Sequence, residues 1–156
     1  MGEKPSNFIK LGYFEAFNLE RECLNMDASQ VPSDYTHVHF AFVDLTPDYE
    51  VNIGDPLVKF QFEQFKNIPS AKRIAAFGGW AFSTEPASYK ILRLGTEPEN
   101  AEKLASNIAR FIIDNGLDGV DIDWEYPGVS SSFTRCPPMP TSYYTYCRLI
   151  LSLTMD

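Results

Sequence analysis

Four short segments of strand character, separated by helical and turn segments, constrain the fold of this chain more than any other feature. Period-two alternation or a run of branched and aromatic residues marks each of them, and they lie near residues 8–14, 36–45, 72–79 and 117–125. Strands that alternate with helices favour a parallel sheet with right-handed crossovers. The sequence therefore predicts an α/β fold, either an open doubly wound sheet or a (β/α)8 barrel.

Chain length bears on the choice between these two architectures. A (β/α)8 barrel usually takes about 250 residues, whereas this chain has 156. Four βα units are half of the eight that close a barrel. A chain of this length is also typical of one domain with one core, so we expect residues 1–156 to form a single partial domain.

The helical segments carry start and stop signals of differing clarity. One helix is predicted over Pro56–Asn67, with Leu57, Phe60 and Phe65 near helical spacing and Pro69 ending it. Less distinct helices are predicted at two further places: residues 18–25, and from about Ser142 to the chain end.

The clearest helix is predicted to begin at Thr96, a natural N-cap residue, with Glu99 closing a capping box. Asn115 and Gly116 are a typical helix terminator. The residues between Trp80 and Thr96 are rich in Ser, Thr and Pro and are predicted to be a loop. The helix has an apolar stripe made of Ala101, Leu104, Ala105, Ile108, Phe111 and Ile112.

Charge and cysteine content exclude several functional classes. The net charge is -8, which argues against binding to nucleic acid or to an anionic membrane surface. No apolar run approaches the roughly 20 residues of a membrane-spanning helix, and the first residues lack the apolar core of a secretion signal. Three scattered cysteines without a CxxC spacing predict neither a disulfide scaffold nor a zinc site: Cys23, Cys136 and Cys147.

The segment Asp118–Pro127 carries the strongest chemical signal. Side chains alternate between the two faces of a strand, so three acids share one face and three apolar residues share the other. The acids, called the acidic triad below, are Asp121, Asp123 and Glu125. The apolar residues are Val120, Ile122 and Trp124. In a barrel, the acidic triad would line the inside and rise toward the C-terminal mouth.

Two structural interpretations compete with a catalytic one. Carboxylates can hold a hard cation or join a network of ion pairs, but a single strand converges poorly on one ion. No Lys, Arg or His lies among the three acids. Crowded carboxylates cannot all ionise, so at least one pKa should rise, and the outermost acid could then serve as a general acid. A protonated carboxyl beside an ionised one suits cleavage of a glycosidic bond.

The sequence DGVDIDWEYPG at residues 118–128 closely resembles the fourth-strand signature D-G-x-D-x-D-x-E of glycoside hydrolase family 18, the chitinase family. The resemblance covers about residues 8–130, and the opening with its loop at 19–32 is similar to the fungal branch. It implies the N-terminal half of a (β/α)8 barrel. Three further segments are similar to the family's first, second and third strands: Gly12–Phe14, His39–Phe42 and Lys72–Trp80.

The resemblance implies a role for each acid. Glu125 would donate a proton to the leaving-group oxygen and later act as base on the incoming water. The substrate's own acetamido carbonyl would attack the anomeric carbon, with retention of configuration. Asp123 would accept a hydrogen bond from the acetamido N–H and stabilise the positive charge. Asp121 would hold Asp123 through a shared proton.

The resemblance also implies residues that bind the sugar. Trp80 would be a stacking platform, and Tyr126 would line the same cleft. Gly78 and Gly79 would let the backbone approach the ligand closely. Tyr13 would point its hydroxyl toward the acidic triad. No metal and no cofactor is implied.

The chain departs from the family pattern at one position in the third strand. Ala76 stands where the family usually has a Ser whose hydroxyl bonds the first acid, so Asp121 is less well supported here. His37 and His39 share a strand face without evident ligand partners, and we interpret both as structural.

Two further family elements do not occur in these 156 residues: a Met-x-Tyr-Asp motif and a Trp on the cleft floor. We therefore expect this polypeptide to have little or no activity. A half barrel has two unpaired sheet edges, which favour aggregation or self-association.

Two functions remain open at this point. The first is hydrolysis of β-1,4-linked N-acetylglucosamine polymers, with chitin or its oligosaccharides as partner. The second is a chitinase-like lectin that binds the sugar without cutting it, although lectin relatives typically lose the acid at the position of Glu125. Family analogy implies an extracellular location, while the chain itself shows no signal peptide.

Overall fold

A computed structural model describes residues 8–23 and 25–127 of the chain. Its five strands are β1 Leu11–Glu15, β2 His37–Leu45, β3 Val51–Asn52, β4 Lys72–Gly78 and β5 Gly119–Asp123. Its four α-helices are α1 Pro56–Lys66, α2 Gly79–Thr84, α3 Tyr89–Gly95 and α4 Ala101–Asp114. Two short 3-10 helices cover Ala16–Glu20 and Ala28–Gln30. Within the described ranges, no helix is long and apolar enough to cross a membrane.

The sheet confirms the parallel arrangement predicted from the sequence. Its strands lie in the order β1-β2-β4-β5, all parallel, and the short β3 is antiparallel to the end of β2. The central strand β2 is buried along most of its length, as parallel strands covered by helices usually are. All four predicted strands exist, each within a few residues of its predicted bounds.

An aromatic core lies between the sheet and the helices. The Phe40 ring packs 5.2 Å from the rings of both Phe62 and Phe65. Phe111 lies 5.5 Å from Phe62 and contacts Phe77 on β4. This cluster joins α1, α4 and the sheet on one face, so the opposite face of the sheet remains available for polar side chains.

Helix α1 confirms the helix predicted over Pro56–Asn67, but two of the three apolar residues noted at helical spacing are not buried. Leu57 and Phe60 are each 47% exposed, whereas Gln61, Phe62 and Phe65 are buried. Gln61 is held on the buried side of the helix: its amide oxygen accepts from the Ala28 backbone N–H at 2.9 Å, and its amide nitrogen donates to the Met26 carbonyl at 3.0 Å. A buried polar residue that binds two backbone groups is invisible to a count of apolar residues.

The predicted start of α4 is also wrong. Thr96 is the buried C-cap of α3, and its hydroxyl donates to the Arg93 carbonyl at 3.2 Å. Helix α4 begins at Ala101 after a turn in which the Asn100 N–H donates to the Glu97 carbonyl. The predicted loop in fact contains α2 and α3, which are six and seven residues long. Helices this short give too few turns for a periodic pattern. The helix predicted over 18–25 is a 3-10 helix ending at Glu20, and the helix predicted from Ser142 lies outside the described residues.

The C-terminal end of α4 matches its prediction. Asn115 is the C-cap, and Gly116 has a φ of 61°. The Gly116 N–H donates to the Ile113 carbonyl at 3.1 Å, and the Leu117 N–H donates to the Ile112 carbonyl at 3.0 Å. These two bonds form a Schellman motif. The predicted apolar stripe is buried, except that Phe111 is only partly buried.

We expect Gly116→Ala to destabilise the chain by about 1 kcal/mol, because a side chain disfavours the left-handed conformation. A Cβ at this position would meet no atom within 4 Å, so the cost is conformational and not steric. Urea denaturation of the variant measures it, with Gly116→Asn as the matched control that should cost less. Equal stability of Gly116→Ala and the wild type would contradict the capping role.

Candidate functional site

Strand β5 has one apolar face and one acidic face. Trp124, which follows the strand, is buried in the core, and Val120 and Ile122 pack against the same core. Asp121 and Asp123 therefore point to the other side of the sheet. Register pairs them with Ala76 and Gly78 of β4. The alternation predicted from the sequence is present at Asp121 and Asp123, near the C-terminal ends of the parallel strands, and Glu125 lies two residues past the end of β5.

Asp121 is the hydrogen-bonding centre of this face. Its Oδ2 accepts a hydrogen bond from the Tyr13 hydroxyl at 2.7 Å and lies 3.1 Å from His39 Nδ1. Tyr13 on β1 and His39 on β2 are register partners, and their ring centroids are 4.8 Å apart. Two other strands thus each bring a side chain to one carboxylate oxygen on β5.

The interpretation of His39 as a structural histidine does not include its contact with the acidic triad. The residue is buried, and its ring contacts an acid of the triad. His37 differs, since its Nδ1 lies 2.9 Å from the Thr36 hydroxyl. The sequence shows only that both histidines share a strand face. The contact of His39 with Asp121 depends on the strand register, which the sequence alone does not provide.

Tyr13 meets the expectation that its hydroxyl points at the acidic triad. Burial raises the pKa of this phenol well above its ordinary value, and the hydrogen bond to Asp121 and the charges of Asp121 and Asp123 raise it further. The phenol therefore keeps its proton over the physiological range. It is a permanent hydrogen-bond donor to Asp121.

Asp123 also has a raised pKa. Burial is the largest cause, followed by repulsion from the charges of Glu125 and Asp121. The sequence predicts that at least one acid of the triad has a raised pKa. In the structure this acid is the middle one.

Glu125 is tied to the helix that follows β4. Its backbone N–H donates to the hydroxyl of Ser83 at 3.0 Å, and Ser83 is buried on α2. Sequence reasoning missed Ser83, because the segment that contains it is predicted to be a loop. The short helix α2 thus links the end of β4 to the position of Glu125.

The two glycines at the end of β4 are required by packing within the protein. A Cβ on Gly78 would lie 2.2 Å from the carbonyl oxygen of Asp123, and one on Gly79 would lie 2.7 Å from the Phe42 ring. Both residues have positive φ, 113° and 81°. Close approach of their backbone to a ligand remains a prediction, since the protein's own atoms already account for both glycines.

Trp80 is 63% exposed and lines a pocket of about 530 Å³. Gly78 and Gly79 also line this pocket, together with Phe17 and Asp44. The other two predicted sugar-binding residues do not line it: Tyr13 and Tyr126, which are 49% and 55% exposed. Only three of the five predicted sugar-binding residues therefore line this pocket.

No three His, Cys, Asp or Glu side chains among residues 8–23 and 25–127 are arranged to hold a metal ion. Cys23 is a free, exposed thiol, and the other two cysteines lie outside the described residues. The polar contacts described on this face involve carboxylates, a phenol and an imidazole.

Comparison with known proteins decides the family. Residues 10–155 match the family described as Glycosyl hydrolases family 18. The chain belongs to this family. Among curated proteins, this family 18 chain is 52% identical over 127 residues to the Secreted chitinase LysM12 of Penicillium expansum and 49% identical over 131 residues to the Probable chitinase LysM11 of the same fungus. These matches cover 81% and 82% of the chain but only 8% and 12% of the relatives. The chain therefore spans a small part of the proteins that it matches.

Solved structures confirm the α/β barrel fold class. Ostrinia furnacalis Group IV chitinase aligns with a TM-score of 0.73 at 23% identity, over 91% of this chain and 39% of that one. The chitinase domain of the spore coat protein CotE from Clostridium difficile aligns with a TM-score of 0.70 at 25% identity, over 96% and 40% of the two chains. The described residues thus correspond to part of a family 18 (β/α)8 barrel.

Asp123→Asn should stabilise the chain at neutral pH by up to about 1 kcal/mol. The folded-state pKa is raised, so ionising Asp123 destabilises the fold increasingly as pH rises from about 4 through the folded pKa. Asparagine removes that cost, and the difference in stability between the variant and the wild type should shrink near pH 4. Urea denaturation at both pH values measures it, with the exposed Asp48→Asn as control. A variant less stable than the wild type at neutral pH would refute the assignment.

Proposed function

We propose that this chain is part of a chitinase catalytic domain, which hydrolyses β-1,4-linked N-acetylglucosamine polymers with retention of configuration. The observation that carries the proposal is that Asp121 and Asp123 lie on one face of β5, opposite the face that holds Trp124 in the core, while the charge of Glu125 helps to raise the pKa of Asp123. Membership of family 18 and identity to fungal chitinases support the same reaction class.

Glu125 is the proposed proton donor to the glycosidic oxygen. Departure of the leaving group is assisted by the substrate's acetamido carbonyl oxygen, which attacks the anomeric carbon and forms an oxazolinium ion. Glu125 then takes a proton from water as that water opens the ring. The bond between its backbone N–H and Ser83 supports this role, since it restricts where the carboxyl can lie.

Asp123 is proposed to accept the acetamido N–H and to stabilise the positive charge on the oxazolinium ion. Its raised pKa favours a proton held between it and Asp121 in the free protein. Asp121 can serve as the fixed partner in this exchange, because the hydroxyl of Tyr13 donates to it.

Trp80 is the proposed stacking platform for a sugar ring, because its exposed indole lies in a pocket wide enough for a saccharide unit. Tyr126, Gly78 and Gly79 remain proposed contacts. Solved relatives include a chitinase in complex with allosamidin and a protein crystallised with a chitooligosaccharide, which supports a carbohydrate ligand. A relative named as a secreted chitinase supports an extracellular location.

A chitin-binding role without turnover is the second candidate. One structural neighbour is described as a pseudo-chitinase with retained chitooligosaccharide binding properties. The chain also matches only about 40% of the solved chains, so we expect weak turnover by this polypeptide. Self-association through the sheet edges, predicted from the sequence, remains untested.

We expect Glu125→Gln to reduce hydrolysis of soluble chitin oligomers by at least about 100-fold and to leave their affinity unchanged. The amide keeps the size of the side chain but cannot donate the catalytic proton. Turnover and calorimetric binding are measured on the same preparations. Glu102→Gln is the matched control, because Glu102 is exposed on α4, which packs on the core face of the sheet.

The two functions give different outcomes in this experiment. An enzyme loses turnover and keeps binding in Glu125→Gln. If the chain is a lectin, the wild type, Glu125→Gln and Glu102→Gln all bind the oligomers equally well, and none of them hydrolyses the oligomers. Hydrolysis by Glu125→Gln at the wild-type rate would exclude Glu125 as proton donor.

A further inference from the structure

His39 is the one imidazole that contacts the acidic triad in the part of the chain that the structure describes. Its side chain is buried, and Nδ1 lies 3.1 Å from the same Asp121 oxygen that accepts from Tyr13. Burial beside an aromatic ring alone would fit an ordinary core histidine. Such a histidine would not need a carboxylate that belongs to a strand two positions away in the sheet.

The strand between His39 and Asp121 explains how they meet. Adjacent strands are about 4.8 Å apart, and β4 separates β2 from β5. Register places Ala76 of β4 directly between Ala41 and Asp121, and Ala76 is fully buried. The methyl side chains of Ala41 and Ala76 occupy little space and offer no hydrogen-bond donor. The carboxylate of Asp121 can therefore lean across β4, and it finds its donors on β1 and β2.

We propose that His39 is a positioning residue for Asp121, which with Tyr13 replaces the donor that residue 76 lacks. The idea that Asp121 must be held rests on the proposed function, whereas the contact itself does not. An ionised Asp121 only accepts hydrogen bonds, so the contact requires a proton on Nδ1 of His39, whether in the Nδ1–H tautomer of the neutral ring or in the imidazolium. A free histidine favours the opposite tautomer.

The chain is suited to a test by NMR, because its two histidines are His37 and His39. Long-range 1H–15N spectra of the 156-residue chain identify the protonated nitrogen of each neutral ring, and His37→Gln assigns the two signals. We expect His39 to carry its proton on Nδ1. In Asp121→Ala this signature should be lost, while the His37 signals stay unchanged. Circular dichroism confirms that the variant is folded.

A second set of variants tests whether His39 sets the position of Asp121. His39→Leu should shift the 13Cγ resonance of Asp121, because the carboxylate loses a donor. His39→Asn retains a donor close to the place of Nδ1 and should restore the wild-type shift. Ala76→Ser combined with His39→Leu should also restore it, since a hydroxyl at residue 76 would lie beside Asp121 in the register.

These outcomes separate the inference from the proposed function. A His39 ring without a proton on Nδ1 in the wild type, or an Asp121 resonance unchanged in His39→Leu, would overturn the inference whatever the activity. The Nδ1 signature with rescue by Ala76→Ser supports it, even where no variant hydrolyses chitin oligomers. Turnover is then a separate readout, which bears on the enzyme proposal and not on the position of Asp121.

Discussion

The two-faced character of β5 is the constraint on which the rest of this structure depends. Burial of Trp124 with Val120 and Ile122 on the helix side forces Asp121 and Asp123 onto the opposite side. A slip of one residue would move the acids into the aromatic core, where an unpaired carboxylate is very costly. The hydrophobic effect, which acts on the three apolar residues, thus determines the side of the sheet on which the acids lie.

Partial burial destabilises the charged form of the acids, and donors on neighbouring strands offset this cost for one of them. Asp121 is stabilised by a phenol and an imidazole from β1 and β2. Asp123 has no such pair of donors among the described bonds, and its pKa is raised by burial and by its two acidic neighbours. Neighbouring acids with different surroundings suit a site that must both hold and release protons.

Residues at and just after the end of β4 contact the backbone of the site. Gly78 packs against the carbonyl of Asp123, and Gly79 packs against the Phe42 ring, so neither tolerates a side chain. Helix α2 starts at once and brings Ser83 to the backbone of Glu125. A hydrogen bond to a short helix thus helps to position Glu125, the acid proposed to donate the proton, which itself lies in a bend past the end of β5.

The sequence by itself determined the features that depend on near neighbours. Alternation along β5 assigned the acids to one face, strand and helix segments gave the α/β class, and Asn115 with Gly116 marked the end of α4. Only the tertiary structure decided which residues from distant segments meet. His39 reaches Asp121 through the register of three strands, Ser83 on α2 reaches the backbone of Glu125, and Gln61 on α1 binds the backbone at residues 26 and 28. Local periodicity is a property of a few consecutive residues, whereas register and helix rotation result from packing between segments far apart in the chain.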